Sequence, residues 1–275
     1  MPNHRVGRAV VGVVMLGLVV PLAVGATTTS AAAAIRKPPV NGKFDYQIGG
    51  GYQPATGVSI LDRDRTDRPL AGKYNICYVN AFQVQPGELS WWKKHHSRLL
   101  LRKAGRLVVD QGWNEVLLDV STAAKRRSLA TVVNRWVDGC ARKGFQAVEF
   151  DNLDSYSRSK GRLRLSQDLA FAKQITKHAH SLGLAVGQKN TAELGARGKT
   201  QAKFDFAIVE ECQRYLECDQ FLQVFGNHVI EIEYTDYPSV EFAAACRARG
   251  SHISIVRRDR NLTRPGNTRY AYQAC

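Results

Sequence analysis

None of the short patterns that announce common site chemistries occurs in this chain. Its six cysteines and seven histidines never fall into a Cys-x-x-Cys or His-x-x-His spacing, which argues against a zinc site. No Gly-x-Ser-x-Gly is present, so a serine nucleophile on a strand-to-helix elbow is unsupported. Gly49-Gly50-Gly51 lacks the spacing and the following helix of a dinucleotide-binding loop, which sets aside a doubly wound open sheet. After the N-terminal stretch, no apolar run is long enough to span a bilayer. Acidic residues are in the minority, 24 against 39 Lys and Arg, for a formal net charge of +15. Such an excess marks nucleic-acid binding when it gathers on one face with interleaved aromatics. Here it is scattered through Arg63, Arg65 and Arg68, Lys125 to Arg127, and Arg257, Arg258 and Arg260. We read it as solubility and attraction to anionic cell-wall polymers, with no nucleic-acid partner. Neither an internal repeat nor a second domain boundary is visible.

What is there begins with a leader. His4, Arg5 and Arg8 precede an apolar run from Val10 to Val24, and small residues fill Thr27 to Ala34. This is the order of a secretory signal peptide, residues 1–34, cleaved near Ala34. Residues 35–43, with Pro38 and Pro39, read as a linker, and residues 44–275 as one domain. Export explains the even cysteine count. Cys212 and Cys218 would close a short loop, Cys246 and Cys275 would tie down the terminus, and Cys77 is left with Cys140.

Strand-like and helix-like segments alternate along the domain. Nine short stretches rich in Val, Ile and aromatics read as strands: 44–48, 58–62, 74–82, 115–120, 147–151, 185–189, 206–210, 229–234 and 253–257. Helical periodicity appears over 128–143, 165–182 and 239–249, each followed closely by glycine. Helix, glycine, then strand is the repeating turn of a (β/α)8 TIM barrel. Nine strands exceed eight, and the polar interval between the second and third is too short for a crossover helix. The expectation is a barrel with an additional early β-strand.

In TIM barrels the reactive groups sit at the C-terminal ends of strands. The segment Ala147-Val148-Glu149-Phe150-Asp151-Asn152-Leu153-Asp154 opens apolar and delivers three carboxylates, and Phe206 to Glu211 repeats the pattern. Side chains alternate faces along a strand. Glu149 and Asp151 therefore share the lumen face, as do Phe206, Ile208 and Glu210, while Glu211 turns away or begins the loop. Asp151 and Glu210 then face one another across the mouth, the arrangement glycoside hydrolysis needs. Around them, strand ends supply Tyr46, Gln47, Asp119, Asn152, Asp154, Asn190, Glu233, Tyr234 and Asp236, a rim of acids, amides and phenols suited to sugar hydroxyls. Two assignments compete with a direct role: Glu149 as the ion-pair partner of Lys189, and Asp154 as a cap on the next segment. No histidine joins the acids, so neither metal nor cofactor is expected.

The segments Phe44 to Gly50, Ile76-Cys77-Tyr78, Glu149 to Asp154, Gly187-Gln188-Lys189-Asn190, Phe206 to Cys212 and Ile232-Glu233-Tyr234 together resemble glycoside hydrolase family 114, the endo-α-1,4-polygalactosaminidase-like proteins. The resemblance runs in order over nearly the whole mature chain. It implies a TIM barrel with an added early strand, endo-cleavage of α-1,4-linked galactosamine polymer, and catalysis by residues matching Asp151 and Glu210, with Glu211 as the alternative. Phe150 departs from the proline of the family's Glu-Pro-Asp-Asn element, which bears on the turn after the strand. The expected protein is a secreted monomeric glycoside hydrolase whose partner is an amino-sugar polysaccharide. The competing classes are a non-catalytic wall-binding barrel and a polysaccharide deacetylase or esterase.

Overall fold

The computed structural model describes residues 1–4, 7–12 and 34–275. Most of the expected leader, residues 13–33, lies outside the described residues. The chain divides into two units, Met1–Ala31 and Ala32–Cys275. Residues 1–4 and 7–12 carry no helix or strand, and the fold belongs to the second unit.

Nine strands form one sheet in chain order: β1 Phe44–Gln47, β2 Ile60–Asp64, β3 Tyr74–Asn80, β4 Ala147–Asp151, β5 Ala185–Lys189, β6 Phe206–Glu210, β7 Val229–Tyr234, β8 Ser254–Arg258 and β9 Tyr272–Ala274. The first eight are parallel, and β9 returns antiparallel to β8. The sheet curls into a nearly closed barrel of TIM type. The expected early surplus is visible, since β1, β2 and β3 follow one another without an intervening helix.

Strand parity divides the core in two. Phe44, Ile60, Tyr74, Ile76, Ala147, Ala185, Phe206, Ile208, Ile230, Ile232 and Val256 fill the lumen. The alternate residues, among them Val79, Val148, Phe150, Val186, Ala207, Val209 and Ile255, pack outward with the helices. Both faces of the eight parallel strands are buried, as parallel sheets require. Gly187 sits in the lumen because a Cβ there would lie 3.0 Å from the Phe206 ring. Below the mouth the lumen is apolar except for buried Asp62 and Glu149.

Local signals set the outer helices. The helix Ala123–Lys143 starts earlier than its periodicity suggested because the Thr122 hydroxyl accepts the Lys125 N–H, and it stops at Gly144 with φ 93°. The helices Leu165–Ser181 and Ser239–Arg249 match their expected spans closely. No described helix is long and apolar enough to cross a membrane. The three disulfides are those expected, Cys77–Cys140, Cys212–Cys218 and Cys246–Cys275. At the start of the expected linker, Ile35 packs on the lumen core and Arg36 O accepts the Tyr74 hydroxyl at 2.6 Å.

The stretch 115–120 is not a barrel strand. Glu115–Val116 pairs antiparallel with Val109–Asp110, and Leu117 and Leu118 make isolated bridges to Gln83 and Leu100. Val116, Leu117 and Leu118 bury themselves in the outer cluster with Leu99, Leu100 and Val108, which meets their apolar demand without a place in the barrel. The ninth strand comes instead from Tyr272–Ala274, three residues too few to show any periodicity.

Ladder bonds do not join β1 to β8. Fully buried Arg258 bridges that seam, with Nη1 at 2.6 Å from Asp45 Oδ1 and also donating to Tyr46 O. Its other nitrogens donate to Ala271 O at 2.8 Å and Thr263 O at 2.9 Å.

Candidate active site

The polar mouth is organised around one lysine. Lys189, at the end of β5, is 3 % exposed, and its Nζ lies 2.8 Å from Glu149 Oε1, 3.2 Å from Asp151 Oδ1 and 3.6 Å from Glu210 Oε2. It donates to the Tyr46 hydroxyl at 3.1 Å and sits over the Tyr46 and Tyr78 rings. Burial disfavours the ammonium, but Asp151, Glu149 and Glu210 outweigh it and hold Lys189 well above the usual lysine range. Asp151 and Glu210 are open to solvent, 18 % and 22 % exposed, whereas Glu149 is sealed.

Each open carboxylate is gripped by neutral donors as well. Tyr78 donates to Asp151 Oδ2 at 2.5 Å and the Asn152 N–H to Oδ1 at 2.7 Å. Burial would raise Asp151, yet Lys189 with the Tyr78 and Asn152 donors holds it below the ordinary carboxylate range. Tyr234 donates to Glu210 Oε1, and Asn190 Nδ2 donates to Oε2 at 2.9 Å while its Oδ1 accepts the Glu210 N–H at 2.8 Å. Burial and the nearby carboxylates push Tyr46, Tyr78 and Tyr234 well above the phenol range, so all three are donors at neutral pH.

The structure brings Tyr46, Glu149, Asp151, Asn152, Asp154, Lys189, Asn190, Glu210 and Tyr234 to one mouth, and all of them except sealed Glu149 line a cleft of about 390 Å³. Asp154 does not cap the following helical turn. It pairs with Arg158, at 2.5 Å and 2.8 Å, and remains in the cleft wall.

Four residues expected at the rim, Gln47, Asp119, Glu233 and Asp236, do not line it, which corrects the sequence reading, and neither does Glu211, the alternative to Glu210. Gln47 and Glu233 alternate with inward Tyr46 and Tyr234 and so face outward. Gln47 bonds Asp45 and Arg63, while Glu233 accepts the Gln213 N–H beside the Glu231–Arg249 pair. Asp119 belongs to the stretch that left the barrel and is taken up by Ser121 and Lys125. Glu211 turns away through a left-handed backbone, φ 58°, onto Arg260, which also holds Asp236.

Four cleft features escaped the sequence reading. Tyr78 lies on the lumen face of β3, legible by parity from Ile76. Asp62 lies under the mouth, fully buried, with neither oxygen partnered other than by Glu149, whose Oε2 is equally bare. Burial, reinforced by Glu149, pushes Asp62 well above the carboxylate range. A proton on Asp62 would join one of its oxygens to Glu149 Oε2. Glu115 and Trp113 reach the cleft from the hairpin that replaced the expected strand, and no local pattern marks them.

Comparison with known proteins places this arrangement. No curated protein matches the sequence. Among solved structures, the crystal structure of Aspergillus fumigatus Ega3 in complex with galactosamine superposes with a TM-score of 0.70 at 21% identity, over 90% of this chain and 100% of that one. The glycoside hydrolase domain of PelA from Pseudomonas aeruginosa superposes with a TM-score of 0.55 at 14% identity, over 82% of this chain and 97% of the domain. At these identities the likeness is one of fold. The family model of glycoside-hydrolase family GH114 matches residues 25–275, and the chain belongs to that family of glycoside hydrolases.

Proposed function

We propose that this protein is an exported, endo-acting hydrolase of α-1,4-linked galactosamine-type polysaccharide, with Asp151 and Glu210 as its catalytic carboxylates. One observation carries the reading: two partly open carboxylates, Asp151 fixed by the Tyr78 phenol and the Asn152 N–H, Glu210 by the Tyr234 phenol and the Asn190 side-chain amide, converge on one buried ammonium. The galactosamine bound to Ega3 supports the substrate class. So does local charge. The chain is basic, yet five carboxylates line the cleft against three cations, which favours a cationic sugar polymer.

Lys189, nearer to Asp151 than to Glu210, sets the roles. Asp151, held ionised, is the nucleophile, and Glu210 protonates the leaving oxygen. Attack forms a glycosyl–Asp151 ester, and Glu210 then takes a proton from the water that hydrolyses it. Both oxygens lie against the same Nζ, so they can be no farther apart than 3.2 and 3.6 Å laid end to end. That span accommodates the ~5–5.5 Å of retaining enzymes and only the lower edge of the ~6.5–9.5 Å of inverting ones, which favours retention. Lys189 offsets the charge of whichever carboxylate is ionised as the ester forms and breaks. The leader-like N-terminus and three disulfides support export.

The test is incubation with partially deacetylated α-1,4-galactosaminoglycan, read by mass spectrometry and by NMR of the first anomer formed. Shorter oligosaccharides with α anomers first are expected. Retention without products would favour a binding barrel, and acetate without chain shortening a deacetylase. Asp151→Asn and Glu210→Gln should each lower kcat by about a thousandfold or more with little change in Tm. Full activity in either variant would remove it from the pair.

A further inference from the structure

We infer that the hairpin of residues 109–116 recognises the substrate's amino group, the Glu115 carboxylate pairing with a sugar ammonium while the Trp113 indole covers the same ring. The inference rests on the function just proposed and deepens it. Its starting point is which cleft carboxylates remain uncommitted. Asp154 is taken by Arg158, and Glu149, Asp151 and Glu210 share Lys189. Asp64 accepts from Thr66 N at 2.8 Å, Thr66 Oγ1 at 2.6 Å and Gln85 Nε2 at 2.5 Å. Glu115 makes no ion pair among the described residues. Its Oε2 accepts from Asn80 Nδ2 at 2.8 Å, and its other oxygen is left to the cleft.

Beside it, Trp113 is 56% exposed and has no aromatic or guanidinium partner among the described residues, although it lines the same cleft. An indole face binds a sugar's apolar side and also attracts a cation. The two side chains therefore fit one ligand that is both ring and ammonium. An N-acetylated unit presents no charge to Glu115 and would strip water from the carboxylate without replacing it.

The hairpin is rigid enough to discriminate. Asp110 anchors it, accepting from Gly112 N at 2.9 Å and Gln83 Nε2 at 3.1 Å and pairing with Arg158 Nε at 2.6 Å. Glu115 is linked to the nucleophile through Asn80 and Asn152, with Asn152 Nδ2 donating to Asn80 Oδ1 at 3.0 Å. The recognised amine thus belongs to a sugar next to the scissile bond. Burial first, then Asp151 and Asp110, push Glu115 up to about 7, and a ligand ammonium would reverse that shift.

The experiment is calorimetric binding of two tetrasaccharides, α-1,4-galactosamine and its N-acetylated counterpart, to Asp151→Asn protein, with and without Glu115→Gln or Trp113→Ala. Turnover of the polymer by the wild-type protein is measured in parallel. Glu115→Gln should lower the ratio of galactosamine to N-acetyl affinity about tenfold to a hundredfold. Trp113→Ala should weaken both ligands and leave their ratio alone. An unchanged ratio in Glu115→Gln, or unchanged affinities in Trp113→Ala, overturns the inference, while wild-type turnover leaves the hydrolase reading standing. If the wild-type protein neither binds nor cleaves either sugar, both fall together.

Discussion

At the scale of single residues, the mouth of this barrel works by unequal solvation of like groups. Glu149, Asp151 and Glu210 all approach Lys189, yet one is sealed and two open into the cleft. The sealed one rests on Asp62, whose oxygens have no other partner. If Asp62 carries the shared proton, a neutral isostere should replace it. Asp62→Asn is expected to melt within a few degrees of the wild type, whereas Asp62→Ala, which strands Glu149, should cost about 1–3 kcal/mol. Equal loss in both variants, measured by denaturant unfolding, would mean that Asp62 is ionised. Parity alone placed Glu149 beside Lys189 and lifted Asp151 above it. The Asp62–Glu149 contact was illegible, because an aspartate in a strand carries no sign of who faces it across the lumen.

At the scale of elements, the ends of β4, β5 and β6 share a device. The residue after each lumen-facing group takes a left-handed backbone: Asn152 at φ 63°, Asn190 at φ 44° and Glu211 at φ 58°. The strand stops there and its last side chain is presented to the cleft. Asparagine tolerates this conformation, while for glutamate it costs about 1–2 kcal/mol, offset here by the Arg260 pair. Asn190 combines turn and clamp, because its amide bonds both the backbone and the carboxylate of Glu210. Asn190→Ala should therefore reduce kcat about tenfold to a hundredfold with a smaller change in KM, read by steady-state kinetics on the polymer. A KM effect alone would show that the clamp only binds. Such strand ends were legible as Asp-Asn and Lys-Asn pairs. The hairpin bearing Trp113 and Glu115 was not, since its apolar alternation is that of a barrel strand and only tertiary packing decides which it becomes.

For the whole molecule, buried acids away from the cleft shape stability against pH. Burial pushes Asp168 up to about 7 at the start of the helix Leu165–Ser181, where it accepts from Ser155 Oγ and Tyr156 N. Burial beside Glu231 likewise pushes Glu233 up to about 8. Between the unfolded value, about 4 to 4.5, and these raised values, the folded chain binds more protons than the unfolded one. Stability should then fall as pH rises from about 5 to 8, read as a declining Tm, and Asp168→Asn should flatten the lower part of that decline. A Tm that climbs over the same interval would contradict it. The (β/α) rhythm and the disulfide pairs were readable from glycine stops and cysteine order. The manner of closure was not, because it depends on one arginine and three residues without periodicity.

That closure has a consequence for how the protein comes into being. Arg258 meets Asp45 across a separation of 213 residues, and β9 and Cys275 complete the same side of the barrel. Contacts of such range form late, after chain entropy has been lost elsewhere. A nascent chain still missing its last twenty or so residues has β1 to β7 but no seam to hold them shut. The molecule can thus stay an open ribbon through most of its synthesis, and its carboxylates meet across a finished mouth only when the final segment arrives.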